Sequence, residues 1–150
     1  MRILATLSVI ALIALSSTAN AQTTSCGTKA DIEAAYGKWV AALSSGKPEN
    51  INALYDARAT MQPTLLADAN TPAVRADYFQ GLMKNPNLKA TPQTNSVLIS
   101  CPVAISTGTY TFSFGEKGAE TSIPARFTFV YEKTPQGWMI INHHSSKLPK

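Results

Sequence analysis

The sequence predicts an α+β fold, with helices packed on one face of a curved antiparallel sheet, from three observations. Apolar residues recur at helical spacing through the first half of the chain. After Asn85 the pattern changes to apolar and polar alternation at period 2, the mark of half-buried strands. The later strands are separated by EKGAE and TPQG, both short hairpin connections. Helices followed by a run of strands argue for α+β rather than an alternating α/β order.

Taken in order, Met1 and Arg2 give a positively charged start, and Ile3 to Leu15 is an unbroken run of apolar and small residues. Ala19-Asn20-Ala21 has the small-x-small form that a signal peptidase cuts. Residues 1–21 therefore predict a signal peptide and residues 22–150 a single domain, periplasmic or secreted. The apolar run is shorter than the roughly 20 residues a membrane-spanning helix takes, which disfavours the alternative of an uncleaved anchor. No second hydrophobic segment follows, so no membrane association is expected after cleavage.

The first helix is TKADIEAAYGKWVAALSSG, with Ile32, Ala35, Tyr36, Trp39, Val40 and Leu43 on one face. Thr28 with Asp31 three residues on suits its start, and Gly46 its stop. PENINALY is a short second helix with Pro48 in its first turn and Ile51, Leu54 and Tyr55 inward. ATMQPTLL reads as a short strand that Pro63 places at an edge. TPAVRADYFQGLMKN is a third helix, capped by Thr71, with Val74, Tyr78 and Leu82 lining one side. Four strands follow, at about Ser96–Ser106, Gly108–Gly115, Thr121–Lys133 and Trp138–Ser146.

Composition removes several functions. The chain carries 13 Lys+Arg against 9 Asp+Glu, a net +4, but no two basic residues are adjacent. A nucleic-acid partner, which would want a basic stripe, is not expected. The two cysteines, Cys26 and Cys101, read as one disulfide in an oxidising compartment, with a buried free thiol or two reactive thiols as the alternatives. Either a disulfide or a buried thiol suits a Cys101 that shares a strand face with Val97, Ile99, Val103 and Ile105.

The faces of the later strands carry the functional argument. Tyr110, Phe112 and Phe114 share one face, with Thr109, Thr111 and Ser113 on the other. Phe127, Phe129 and Tyr131 alternate likewise with Arg126, Thr128 and Val130. The last strand opens apolar on both faces, as strands buried on both sides do. Helices can cover one side, and a second copy of the chain is the simplest cover for the other. The only histidines, His143 and His144, are adjacent and point to opposite faces, so they cannot jointly hold a metal ion and no metal site is expected. Ser145 and Ser146 lack a Gly-x-Ser-x-Gly elbow.

Tyr78-Phe79, GTYTF at 108–112, ARFTFVY at 125–131 and GWMIINHHSSKLP at 137–149 resemble the calcium/calmodulin-dependent protein kinase II association-domain family. They resemble most its small secreted bacterial members, some of which carry an oxidoreductase label. The resemblance implies the nuclear transport factor 2-like (SnoaL-like) cone: three helices wrapped on a sheet, a deep pocket, and dimers formed through the sheet. It implies neither a kinase domain nor calmodulin binding. The hub domain of that family lines its pocket with several arginines, and the position matching one of them is Ser145 here. The odd-numbered face, Met139, Ile141, His143 and Ser145, should then look into the pocket. The even-numbered face, Trp138, Ile140, His144 and Ser146, should meet a second subunit.

The first reading of function is therefore an exported, dimerising module that binds a small organic ligand, with an anion as the candidate Arg126 suggests, and has no kinase activity of its own. Arg126 would anchor the anion, with His143, Ser145, Thr111 and Tyr78 around it. The second is a small lyase, isomerase or cyclase, or the oxidoreductase of the family label, using His143 or His144 as general base. The third is a purely structural oligomerisation domain. No Gly-x-Gly-x-x-Gly or other redox cofactor motif is present, and no cofactor is expected.

Overall fold

A computed structural model describes residues 26–64 and 66–149. The expected signal peptide lies outside these residues. Three helices come first in outline: α1 (Lys29–Ser44), α2 (Pro48–Asn52) and, after the first strand β1 (Tyr55–Gln62), α3 (Pro72–Leu82). Four strands follow: β2 (Lys89–Ser100), β3 (Val103–Phe114), β4 (Thr121–Thr134) and β5 (Gly137–Lys147). They form one five-stranded sheet in the order β1-β5-β4-β3-β2, antiparallel except for the parallel pair β1 and β5. The α+β expectation holds, with the helices against one face of the sheet.

Local chemistry explains the helices. Thr28 and Asp31 form the reciprocal capping box at the start of α1. Gly46, at φ 67°, takes the left-handed conformation just past its end. Thr71 caps α3 through the Val74 amide, and Pro72 occupies the first turn. Ile32, Tyr36, Trp39, Ala42 and Leu43 are buried on α1. Tyr36 stacks on Phe127 at 4.8 Å, and Trp39 meets Phe129 edge-on at 5.1 Å. Each such aromatic pair adds on the order of 1 kcal/mol beyond area burial.

Four details depart from the sequence reading. Tyr55 does not end α2 but begins β1, where Trp39 hydrogen-bonds its hydroxyl. The buried side of α3 is Arg75 and Phe79, while Val74 is 47% exposed. The Arg75 guanidinium donates to the carbonyl oxygens of Ala59 (2.7 Å) and Asp56 (3.0 Å), so a cation is buried by docking α3 onto β1. The third departure is a hairpin inside the run taken as one strand from Ser96 to Ser106. The chain turns at Cys101-Pro102, and Cys101 is exposed in the turn rather than part of a core layer. Gly108 is no strand boundary either. It lies within β3, and a Cβ there would sit 2.0 Å from the Thr94 carbonyl oxygen, so only glycine fits.

The fourth departure changes the site. Tyr131 pairs with Ile140 and Val130 with Asn142, which leaves Ile141 as an extra residue in β5. Strict alternation fails at this bulge. Ile140 is 1% exposed and shares the helix-covered face with Tyr131, His143 and Ser145; it does not belong with His144 on a subunit interface.

The Cys26–Cys101 disulfide is present and ties the start of α1 to the β2–β3 turn. Closing a loop with a sequence separation of 75 contributes about 4 kcal/mol in the chain-entropy account. Pro63 follows directly on β1, which is indeed an edge strand.

Candidate functional site

β5 and β3 bring the site together from their helix-facing sides. Ser145 is buried, and its Oγ accepts a hydrogen bond from the Tyr110 hydroxyl at 2.7 Å. The same Oγ lies 2.8 Å from Oγ1 of Thr64, on the segment that follows β1. Three hydroxyls thus carry three protons but make two hydrogen bonds among themselves. Whichever way the Thr64–Ser145 bond runs, one proton of the cluster is left to donate outward. Burial raises the Tyr110 phenol well above its ordinary pKa, against a lowering by its bond to Ser145, so it stays a donor.

Thr64 lines a cavity of about 180 Å³. Its walls are apolar: Tyr78 and Leu82 from α3, Leu88, Phe112 and Phe114, and Ile123. Leu66 and Lys147 stand at its exposed rim. Burial pushes the Tyr78 phenol up to about 12. An apolar cavity of roughly 150 Å³ holds benzene, so this one has room for a single ring.

His143 lies on the same face but behind the cavity, not among its lining residues. Its ring stacks on Phe129 at 4.1 Å, and Trp39 meets it edge-on at 5.4 Å. Nδ1 is 2.9 Å from the Tyr55 hydroxyl, which itself accepts from Trp39 Nε1 at 2.9 Å. Trp39 can only donate, so a Tyr55 hydroxyl that donates to Nδ1 uses every group in the chain, with the imidazole proton on Nε2; the other tautomer, with Nδ1–H donating to Tyr55, leaves the Tyr55 proton without an acceptor among the described residues. Nε2 is buried without a partner among the described residues. Burial, with a smaller contribution from His144, drives the His143 pKa down to about 3. In its neutral form the ring packs between Phe129 and Trp39 and keeps one hydrogen bond, to Tyr55.

The structure therefore places Tyr78 in the cavity wall and joins the buried Ser145 to that wall only through Thr64; neither Ser145 nor His143 lines the cavity itself. It does not bring in the others. Arg126 is exposed and pairs in register with Ser146 and Thr109, on the opposite face from Phe127 and Ser145. An anion held by Arg126 would sit on the far side of the sheet from Ser145. Thr111, opposite Pro124 and alternating with Tyr110, faces the same outer side. His144 is exposed on that face as well, opposite Thr128.

Sequence reasoning missed Thr64, Tyr55 and Arg75. Thr64 stood in a strand ending that carried no chemical motif. Tyr55 read only as an inward residue of the second helix, and nothing in the residues flanking Arg75 marks it as a buried cation.

Residues 28–149 match the family of the calcium/calmodulin dependent protein kinase II association domain. Among solved structures, a Xanthomonas campestris protein provisionally assigned to that association domain is 31% identical, covering 83% of this chain and 90% of its own, with a TM-score of 0.76. One from Thiobacillus denitrificans, with the same provisional assignment, is 19% identical over 78% of this chain and 94% of its own, with a TM-score of 0.68. A Streptomyces avermitilis protein of the nuclear transport factor 2-like family, provisionally assigned as a dehydratase, is 18% identical over 81% of this chain and 96% of its own, with a TM-score of 0.74. The last two establish likeness of fold alone. No functionally curated protein matches the chain.

Proposed function

The chain belongs to the calcium/calmodulin dependent protein kinase II association-domain family, and from that premise we propose an exported, dimerising module that binds a small, ring-sized, largely apolar molecule. The observation that carries the ligand reading is Thr64, a hydroxyl in the wall of an apolar cavity, backed by Ser145 and Tyr110. When Ser145 donates to Thr64, the Thr64 proton is free to meet a neutral oxygen acceptor in the cavity, a hydroxyl or a carbonyl. An anion anchored by Arg126 loses its support, because Arg126 lies on the other face; the cation that lines this cavity is Lys147, exposed at the rim. The export reading rests on the leader pattern in the first 21 residues. The dimer reading rests on the outer sheet face, where Leu98, Ile105 and Val130 stand side by side in register and Leu98 is 63% exposed.

No observation favours a histidine-based enzyme. His143 has its Nδ1 engaged by Tyr55 and does not line the cavity, and His144 is exposed on the face away from it.

Native mass spectrometry of the exported protein tests this reading. The wild-type chain should carry a bound small molecule at up to one copy per chain. Tyr78→Trp, which fills the cavity from α3, should carry none. A wild-type protein with no adduct that also binds no small aromatic alcohol when challenged would refute it.

A further inference from the structure

We propose a second ligand site at the other end of β5, for a small organic anion with an apolar body. A groove of about 450 Å³ runs between α1 and the β4–β5 hairpin. It shares no lining residue with the cavity above Thr64. Its sides are kept low by Ala34, Ala35 and Ala53, and Leu54 and Met139 add apolar surface.

Its polar groups are unbalanced in one direction. Tyr131 lines the groove and is 1% exposed, yet its hydroxyl has no hydrogen-bond partner among the described residues. Burial holds that phenol well above its ordinary pKa, so it remains a donor. Lys38 and Lys133 also line the groove, and neither has a carboxylate within 4.0 Å among the described residues. Lys133 Nζ sits 5.2 Å from the centre of the Trp138 ring, which holds the ammonium at the groove wall. The one acidic residue present, Asp31, turns its Oδ2 to the Thr28 amide at 2.7 Å and the Thr28 hydroxyl at 3.0 Å; its charge is felt by Lys133 without an ion pair, and two lysines against one aspartate leave the groove positive. A buried hydroxyl left unpaired is unfavourable, and two ammonium groups beside it add attraction for negative charge. A carboxylate or similar anion supplies what all three donors lack, and its apolar part covers the alanine-lined side.

Trp138 also makes the site observable. Its indole is fixed at the groove edge, with Gly27 packed so closely that a Cβ there would lie 3.1 Å from Nε1. The disulfide at Cys26 anchors that contact. The chain has two tryptophans, and Trp39 is bonded to Tyr55 in the interior, so the two indole N–H resonances report separate places. Trp138→Phe assigns them.

The test is a titration of the folded protein with benzoate, followed by the Trp138 indole resonance, with benzamide as the uncharged counterpart. Benzoate should move the resonance saturably and benzamide should not. Lys133→Met should weaken benzoate binding about tenfold, the size expected for loss of one charge-assisted contact. Tyr131→Phe should weaken it several-fold while melting cooperatively. Arg126→Ala, which removes a cation from the far sheet face, should leave it unchanged. The proposal is overturned if benzoate leaves the Trp138 resonance in place, if benzamide acts equally, or if Arg126→Ala weakens binding as much as Lys133→Met.

Discussion

Ile140→Asp is expected to unfold the protein rather than divide a dimer. Ile140 is 1% exposed, opposite Tyr131 on the helix-covered face, with its amide donating to the Leu54 carbonyl at 2.9 Å. The substitution forfeits roughly 1.5–3 kcal/mol of burial. It also places an unpaired carboxylate in the core, a change of the kind that costs 3–5 kcal/mol. The combined loss, about 5 kcal/mol or more, is comparable with the whole stability of many domains. Val130→Lys is the contrasting variant. Val130 lies on the outer face between Ile105 and Asn142, so a lysine there should leave the melting temperature nearly unchanged and yield a monomer in sedimentation. A folded monomer from Ile140→Asp, with Val130→Lys still dimeric, would mean that the bulge at Ile141 is absent and the faces follow strict alternation.

Acid should unfold the protein beginning well above the carboxylate range, and His143 is the reason. Its pKa is about 3 in the folded chain, against roughly 6.5 when unfolded. Between those values the unfolded state binds the extra proton, so stability falls as pH falls through that window. At about 1.4 kcal/mol per pH unit, the loss over the window is on the order of 5 kcal/mol. His143→Phe keeps the stacking volume against Phe129 but gives up the Tyr55 bond. It should be less stable than wild type at pH 7 and almost flat from pH 6.5 to 4.5, a range where Asp31 and Asp56, both held below their ordinary pKa by hydrogen bonds, do not titrate. Denaturant melts at stepped pH measure both slopes. Equal slopes in the two proteins would show that the His143 imidazole is not sealed from water.

Much of the architecture was legible because it is written in local chemistry. Thr28 with Asp31, and Thr71 with Pro72, announce two helices by residues whose side chains satisfy free backbone amides. The aromatic alternation of β4 identifies its core face directly, since no bulge interrupts it from Ala125 to Tyr131. What stayed hidden depends on partners distant in sequence. The bulge at Ile141 is set by pairing with β4 and by the Leu54 carbonyl, neither of which alters the composition of β5. Arg75 looks like a surface residue until the carbonyl groups of Asp56 and Ala59 are placed beneath it. The β2–β3 turn falls inside an apolar run, where periodicity gives no sign of a reversal. Ser145 was found from the family resemblance, but its partners Thr64 and Tyr110 lie 81 and 35 residues away, and only the fold joins them.

A ring-sized molecule in the cavity meets the hydroxyl cluster at Thr64, the member that lines the wall, which has a proton to offer when Ser145 donates to it. Calorimetry with para-cresol and toluene tests this on wild type and on Thr64→Val. Wild type should prefer para-cresol by about tenfold, the worth of one buried hydrogen bond at roughly 1.4 kcal/mol, and Thr64→Val should bind both alike. Equal affinity for the two molecules in wild type, or a preference for para-cresol that survives in Thr64→Val, would contradict a proton donor at that wall.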